Sequence, residues 1–366
     1  MSSSVQRVIG TSAQGASDAA FRVRLELPGR GLAAHGIDLE LLPFFAGDGA
    51  RRFREAGTLG KARILAGSRR RLRRELRAAE DVSTAVVQRQ VDLAPTLALE
   101  RAAARGRRLI YDVDDAVWLS GRQTGGHAAS ALKGAARKVR WLAERAEHTI
   151  AGNEILAEHL AAYSQRLTVV PSLVDPARYP LRRHEQGETL TLGWIGSPTT
   201  APYLRGIVEA IERFASASPR PVRLLVVGGS PPTVAGVQVE ERAWSEAVER
   251  QVLTEIDVGL MPLEDTPWTR GKCAYKALQY MAAGIPPVAD DVGVSATTVD
   301  GSGYAVEGAD AWVEALQALA ADAALRSRLG EAGRRRVEER FSPRRWLPTI
   351  AAILRGEDDR APKTVI

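Results

Sequence analysis

Short apolar runs alternate with longer stretches of helical period along most of the chain. Residues 5–9 read as a buried strand. They are followed by the run Gly10-Thr11-Ser12-Ala13-Gln14-Gly15 and by a helical pattern over 19–35, bent at Pro28. Further strands are expected at 37–42, 85–88, 109–111, 149–151 and 168–170, with helices at 95–105, 129–146 and 154–163. The fourth strand runs straight into Asp112-Val113-Asp114-Asp115. This steady β-α alternation predicts a parallel sheet covered on both faces.

The alternation breaks between Pro171 and Glu188, where Pro171, Pro176 and Pro180 precede a polar run. It then resumes. Strands are expected at 190–195, 224–227, 237–239, 258–261 and 288–289, and helices at 203–214, 245–253, 309–320, 323–340 and 346–354. The expected organisation is a first domain over 1–175, a linker over 176–189, a second domain over 190–340 and a last amphipathic helix with its tail over 341–366. Two α/β domains of similar size suggest a cleft lined by strand C-termini.

Composition agrees with two soluble domains: 366 residues, 45% hydrophobic and 26% charged. The single cysteine, Cys273, excludes an intrachain disulfide and fits a reducing, cytoplasmic setting. No apolar run has the length of a signal or a membrane span. The net charge of +6 is unevenly placed: between Arg51 and Arg77 stand eleven basic residues against Glu55 and Glu75. That stretch reads either as a solvated Arg-rich helix or as a peripheral contact with an anionic membrane surface. Without a Cys/His array or aromatic–basic interleaving, no nucleic-acid partner is expected.

The chemistry concentrates between Trp268 and Val292. Lys272, Lys276 and Gln279 are spaced i, i+4, i+7, on one face of an expected helix, with Ala274, Ala277, Leu278 and Met281 opposite. Arg270, Lys272 and Lys276 at a helix start suit an anion, such as the diphosphate of a sugar nucleotide. The competing reading is a solvated basic face on a packed helix.

Three segments together resemble a known family. They are Leu109-Ile110-Tyr111-Asp112-Val113-Asp114-Asp115, Leu192-Gly193-Trp194-Ile195-Gly196-Ser197-Pro198, and Asp257-Val258-Gly259-Leu260-Met261-Pro262-Leu263 with the Lys-rich segment and Met281-Ala282-Ala283-Gly284-Ile285-Pro286. The chain resembles glycosyltransferases of the GT-B fold, closest to the retaining family 4 group. The resemblance implies two Rossmann-like domains, a C-terminal helix crossing back to the first, and a UDP-, GDP- or dTDP-sugar bound by the second. It implies no metal and no cofactor. The family's helix carries two glutamates at positions that here hold Gly271 and Gln279; Gln279 can still bond a ribose hydroxyl. The family's Arg and Lys after the first strand of this domain are replaced by Gly196-Ser197-Pro198-Thr199. Phosphate and sugar contacts are therefore expected from Arg270, Lys272, Tyr275 and Lys276, from the Gly196 and Ser197 N–H groups, and from the Gly15 loop.

Asp112 falls where the fold places a group near the donor sugar, which gives it the catalytic expectation. Reading Asp112-Val113-Asp114 as a metal-binding DxD motif belongs to a different architecture. Arg22 and Arg24 are expected either to face an acidic acceptor or to lie in solvent. Trp194 and Trp244 are expected to pack, although Trp244 follows the strand where the fold usually seats the base, and His35 and His127 carry no role. The implied activity is retaining transfer to an acceptor hydroxyl in natural-product or cell-surface glycan synthesis. The alternatives are an epimerase or pseudo-glycosyltransferase on the same fold, and a non-catalytic nucleotide-sugar-binding subunit.

Overall fold

The computed structural model describes residues 5–119 and 134–357. The chain divides into two compact units, Met1–Leu173 with Trp346–Ile366, and Val174–Arg345. Residues 176–189 belong to the second unit.

The first unit is a six-stranded parallel sheet of β1 (Gln6–Ser12), β2 (Ile37–Leu41), β3 (Thr84–Gln88), β4 (Arg108–Val113), β5 (His148–Ala151) and β6 (Leu167–Val169), in the order β2-β1-β3-β4-β5-β6. Val8, Ile37, Val86, Ile110 and Ile150 pack with Trp346, Leu347, Ile350, Ile353 and Leu354. Those last five lie on the C-terminal helix Pro343–Arg355. From Trp346 onward this helix is part of the first unit, as the resemblance implies. Its last carbonyls would be orphaned. Arg108 and Gln6 donate to them, with Gln6 Nε2 and Arg108 Nη1 at 2.9 and 2.7 Å from the Leu354 oxygen.

The helical stretch over 19–35 is not a single helix bent at Pro28. A π-turn, Arg22–Glu26, precedes the α-segment Leu27–Leu32. The wider turn comes just before a residue with no N–H to donate. The Arg-rich stretch forms two helices, Gly49–Glu55 and Thr58–Ala78. The expected helix at 129–146 is observed over Ala135–Arg145, and residues 129–133, like His127, lie outside the described residues.

The second unit is also a parallel sheet: β7 (Leu190–Ile195), β8 (Val222–Val227), β9 (Gln238–Arg242), β10 (Val258–Met261), β11 (Pro287–Asp290) and β12 (Tyr304–Val306), in the order β12-β11-β10-β7-β8-β9. β12 and the short helix Ser295–Val299 have no counterpart in the sequence reading. Both are too short for a period to show. The central strands are buried on both faces. Leu192, Trp194, Leu224 and Val226 face one core, and Ile195, Leu225 and Val227 face the other. Among the described residues, no helix is long and apolar enough to cross a membrane.

The Lys-rich segment differs from the expected single helix. A four-residue helix, Pro267–Arg270, is closed by a Thr266/Thr269 capping box. The next helix begins only at Tyr275 and runs to Ala282, after Ala274 in a left-handed conformation (φ 48°). Lys272 and Cys273 therefore lie in the turn before this helix and not on its face.

Candidate functional site

In a doubly wound sheet, ligands collect at the strand C-termini where the winding reverses. In the second unit that point is between β7 and β10, because β8 and β9 extend one way and β11 and β12 the other. Tyr280 pins the Tyr275–Ala282 helix there. Its ring lies against Gly259, and its hydroxyl accepts from Ile195 N at 3.0 Å and donates to the Gly193 oxygen at 3.2 Å.

Lys276, one turn before Tyr280, reaches over the end of β7. A Cβ on Gly196 would stand 2.9 Å from Lys276 Cε and would collide with the Trp194 ring. Lys276 Nζ stands 5.4 Å from the centroid of that ring, and Trp194 is 1% exposed. The expected packing role of Trp194 is thus joined by a second one, as the platform under an ammonium group. Lys272 Nζ is likewise 5.4 Å from the Trp268 ring centroid. Burial first, and Lys272 second, push the Lys276 ammonium down to about 7. No carboxylate of a described residue pairs with it. A half-buried lysine beside a second cation, with no counter-charge from a described residue, is an arrangement that favours an anion.

Glu249 is the centre of a second cluster. It is buried on the helix Glu246–Val252. It accepts hydrogen bonds from Trp244 Nε1 at 2.7 Å, Gln279 Nε2 at 2.8 Å and the Tyr179 hydroxyl at 3.2 Å. Tyr275 also bonds Tyr179, whose hydroxyl is pushed up to about 12, by burial and then by Glu249. The cluster adjoins the first one. Gly228 (φ 80°) lets the end of β8 approach the Gly196 oxygen, and a Cβ there would stand 2.9 Å from Trp244 Cβ. Sequence reasoning missed Glu249 and Tyr179, since no motif marks either. Trp244, expected to pack or to stand near the base, is half-buried and donates its indole N–H.

Other expected contacts are already occupied. Gly196 N donates to the Val227 oxygen at 3.0 Å, and Ser197 N to Thr200 Oγ1 at 3.2 Å, so neither amide is open to a phosphate. Arg270 forms a two-point ion pair with Asp265 at 2.6 and 2.7 Å. That pairing holds the Asp265 carboxyl below its usual range. Gly15 is buried, and the close approach it permits is to the Phe45 carbonyl.

In the first unit, Asp112 lies in a buried ion pair. Arg24 Nε is 2.9 and 3.2 Å from its two oxygens and Arg24 Nη2 is 2.6 Å away, while Arg24 Nη1 donates to the Val170 and Pro171 oxygens. Arg24 therefore faces neither solvent nor an acceptor. Burial pushes the Asp112 carboxyl up against the pull of Arg24. The polar group at the edge of β4 is Asp114. Arg89 holds it from 2.6 and 3.0 Å, Gln88 Nε2 donates at 2.9 Å, and Ser12 Oγ continues the chain to Gln88 Oε1 at 2.6 Å. Burial alone would raise the Asp114 carboxyl; Arg89 holds it below its ordinary value. Arg89 itself has a left-handed backbone (φ 58°). Arg22 donates to the Ala16 oxygen at 2.9 Å. Among the described residues no group of three His, Cys, Asp or Glu side chains could hold a metal.

Two parallel six-stranded units of this order define the α/β class to which GT-B glycosyltransferases belong. Residues 189–322 match the family model described as glycosyl transferases group 1. No curated protein matches the sequence. The fold is similar to that of sucrose-phosphate synthase from Thermosynechococcus elongatus, with 16% identity, a TM-score of 0.74, and 97% of this chain and 100% of that one covered. It is similar to Anabaena HepE, solved in complex with UDP and glucose, with 14% identity, a TM-score of 0.65, and 96% and 100% covered. A glycosyltransferase from Rickettsia africae gives 11%, 0.64, and 97% and 99%. The chain thus has the GT-B fold, and residues 189–322 of its second unit match the model of group 1 glycosyl transferases.

Proposed function

We propose that this chain is a retaining, metal-independent glycosyltransferase of the family 4 type. It moves a sugar from a nucleotide-sugar donor to an acceptor hydroxyl, in natural-product or cell-surface glycan synthesis. The observation that carries the reading is Lys276, a desolvated ammonium without a counter-charge at the strand ends of the group 1 domain. A donor diphosphate supplies that charge. HepE has been solved with UDP and with UDP-glucose, which makes a UDP-sugar the first donor to test, ahead of GDP- and dTDP-sugars.

The chemistry follows from charge. As the bond from the anomeric carbon to the phosphate oxygen breaks, negative charge grows on the diphosphate, and Lys276 with Lys272 stabilises it where a metal ion otherwise would. The acceptor hydroxyl attacks from the same face and its proton passes to the departing phosphate oxygen. No protein nucleophile is required. Gln279 donates its N–H to Glu249, which leaves its carbonyl oxygen to accept from a ribose hydroxyl, the task of the family's glutamate. Trp244, beside that cluster, offers a ring for the base.

Titration calorimetry with UDP, run on the parent and on Lys276→Ala, tests the reading. Equal affinities would overturn it. A second reading, a non-catalytic nucleotide-sugar-binding subunit, draws on Gly271 in place of the family's carboxylate and on the sequestration of Asp112. Hydrolysis of the donor by the purified chain, however slow, excludes it. An epimerase or pseudo-glycosyltransferase is separated by the product, which would contain no glycosidic bond.

A further inference from the structure

We propose that the exposed face of the Thr58–Ala78 helix docks on the surface of an anionic phospholipid bilayer. The inference is independent of the donor site. At 100° per residue, Leu59, Arg63, Ala66, Arg70, Arg73, Arg74 and Arg77 fall within roughly 60° of one line along the helix. All seven are exposed. The stripe spans about 27 Å of helix axis.

The rest of the helix is tied to its own unit. Leu72 and Leu76 are buried. Arg71 donates to the Pro43 and Phe44 oxygens, and Arg69 pairs with Asp92 at 2.9 Å. The five arginines of the stripe have no ion pair with any described residue. An open recess of about 540 Å³ runs along them, lined by Ala66, Arg69, Arg70, Arg73, Arg74 and Arg77. Like charges held this close repel one another, and a polyanionic surface relieves that repulsion.

Two features favour lipid over nucleic acid. The stripe begins with Leu59, 79% exposed, among the most exposed large apolar side chains of the described residues. A leucine beside guanidinium groups fits the boundary between headgroups and acyl chains. The stripe also contains no Asn, Gln, Ser or aromatic residue to read base edges or stack on bases.

Flotation of the full chain with phosphatidylcholine vesicles, with and without phosphatidylglycerol, tests the proposal. Binding is expected only with phosphatidylglycerol and is stripped by salt. Each basic residue near such a surface contributes about fivefold, so the triple variant Arg70→Ala, Arg73→Ala, Arg77→Ala should lower partitioning about hundredfold. The triple Arg→Lys variant at these positions should bind like the parent, and so should Arg328→Ala, a substitution in the second unit. Retention by the Lys variant separates lost charge from lost fold. Equal flotation with neutral vesicles, no flotation at low salt, or an unaffected alanine variant would overturn the proposal. So would tighter binding to duplex DNA than to the anionic vesicles.

Discussion

Gln279 donates its amide hydrogen to the Glu249 carboxylate at 2.8 Å, joining helices thirty residues apart in sequence. On the proposed reading, Glu249 orients the Gln279 amide from a neighbouring helix. Glu249 also holds the Trp244 indole and the Tyr179 hydroxyl.

Replacing Glu249 by alanine should therefore act in two ways. Three donors lose their acceptor, which costs about 1–3 kcal/mol for each one left buried and unpaired. The Gln279 amide also loses the contact that orients it. Thermal unfolding should show a lower Tm, and UDP calorimetry on the folded fraction should show about tenfold weaker binding. Unchanged UDP affinity would remove Glu249 from the site.

On the proposed reading, Lys276 should make nucleotide binding depend on pH. With its folded pKa depressed to about 7, the free protein is largely unprotonated there above neutrality. A diphosphate bound there would restore the proton. Affinity for UDP should then fall as pH rises from 7 toward 9, and calorimetry in buffers of different ionisation enthalpy should register proton uptake. The same shift has a consequence without ligand. The unfolded chain holds a proton that the folded chain lacks between about pH 7 and the ordinary lysine value, so this group's contribution to stability rises with pH across that window. Lys276→Met should abolish the proton uptake.

Gly196→Ala tests the geometry around Lys276. The added methyl would collide with the Trp194 ring and approach Lys276 Cε to 2.9 Å. The lysine should be displaced and the core disturbed. Weaker UDP binding is expected, with a Tm loss larger than that of Lys276→Ala.

The Arg24–Asp112 pair should behave as a structural lock. Removing Arg24 alone leaves a buried carboxylate uncompensated, at about 3–5 kcal/mol. Chemical denaturation of Arg24→Ala should show that loss. Asp112→Asn should lose stability while turnover per folded molecule changes less than in Lys276→Ala. A turnover loss without a stability loss would return Asp112 to the reacting centre.

Metal-free neutralisation of the diphosphate by basic side chains also predicts that transfer persists in chelator. An activity assay with excess chelator, compared with added magnesium, checks this; complete loss would mean that a metal shares the task.

Much of this architecture is written locally in the chain. Leu190–Ile195 and Val258–Met261 stand where their apolar runs place them, because a strand buried on both faces needs continuous apolar residues whatever its neighbours. The β-α rhythm of both units follows from the same short-range signal, and so does the amphipathic C-terminal helix, whereas its return to the first unit was implied only by the family resemblance. Lys276 stood out on charge and helical spacing alone. Lys272 was misplaced by one turn because Ala274 takes a left-handed conformation that nothing in its composition announces.

Which charges are paired was decided only by the folded chain. Arg24 reaches Asp112 across 88 residues, and Glu249 gathers Trp244, Gln279 and Tyr179 from three separate elements. Periodicity reports which side of an element is apolar, since that depends on residues a turn or a pleat apart. It carries no information on what stands opposite a polar group. Desolvation and counter-charge come from those distant partners, and they are what separates a paired, buried Asp112 from a Lys276 with no carboxylate of a described residue beside it.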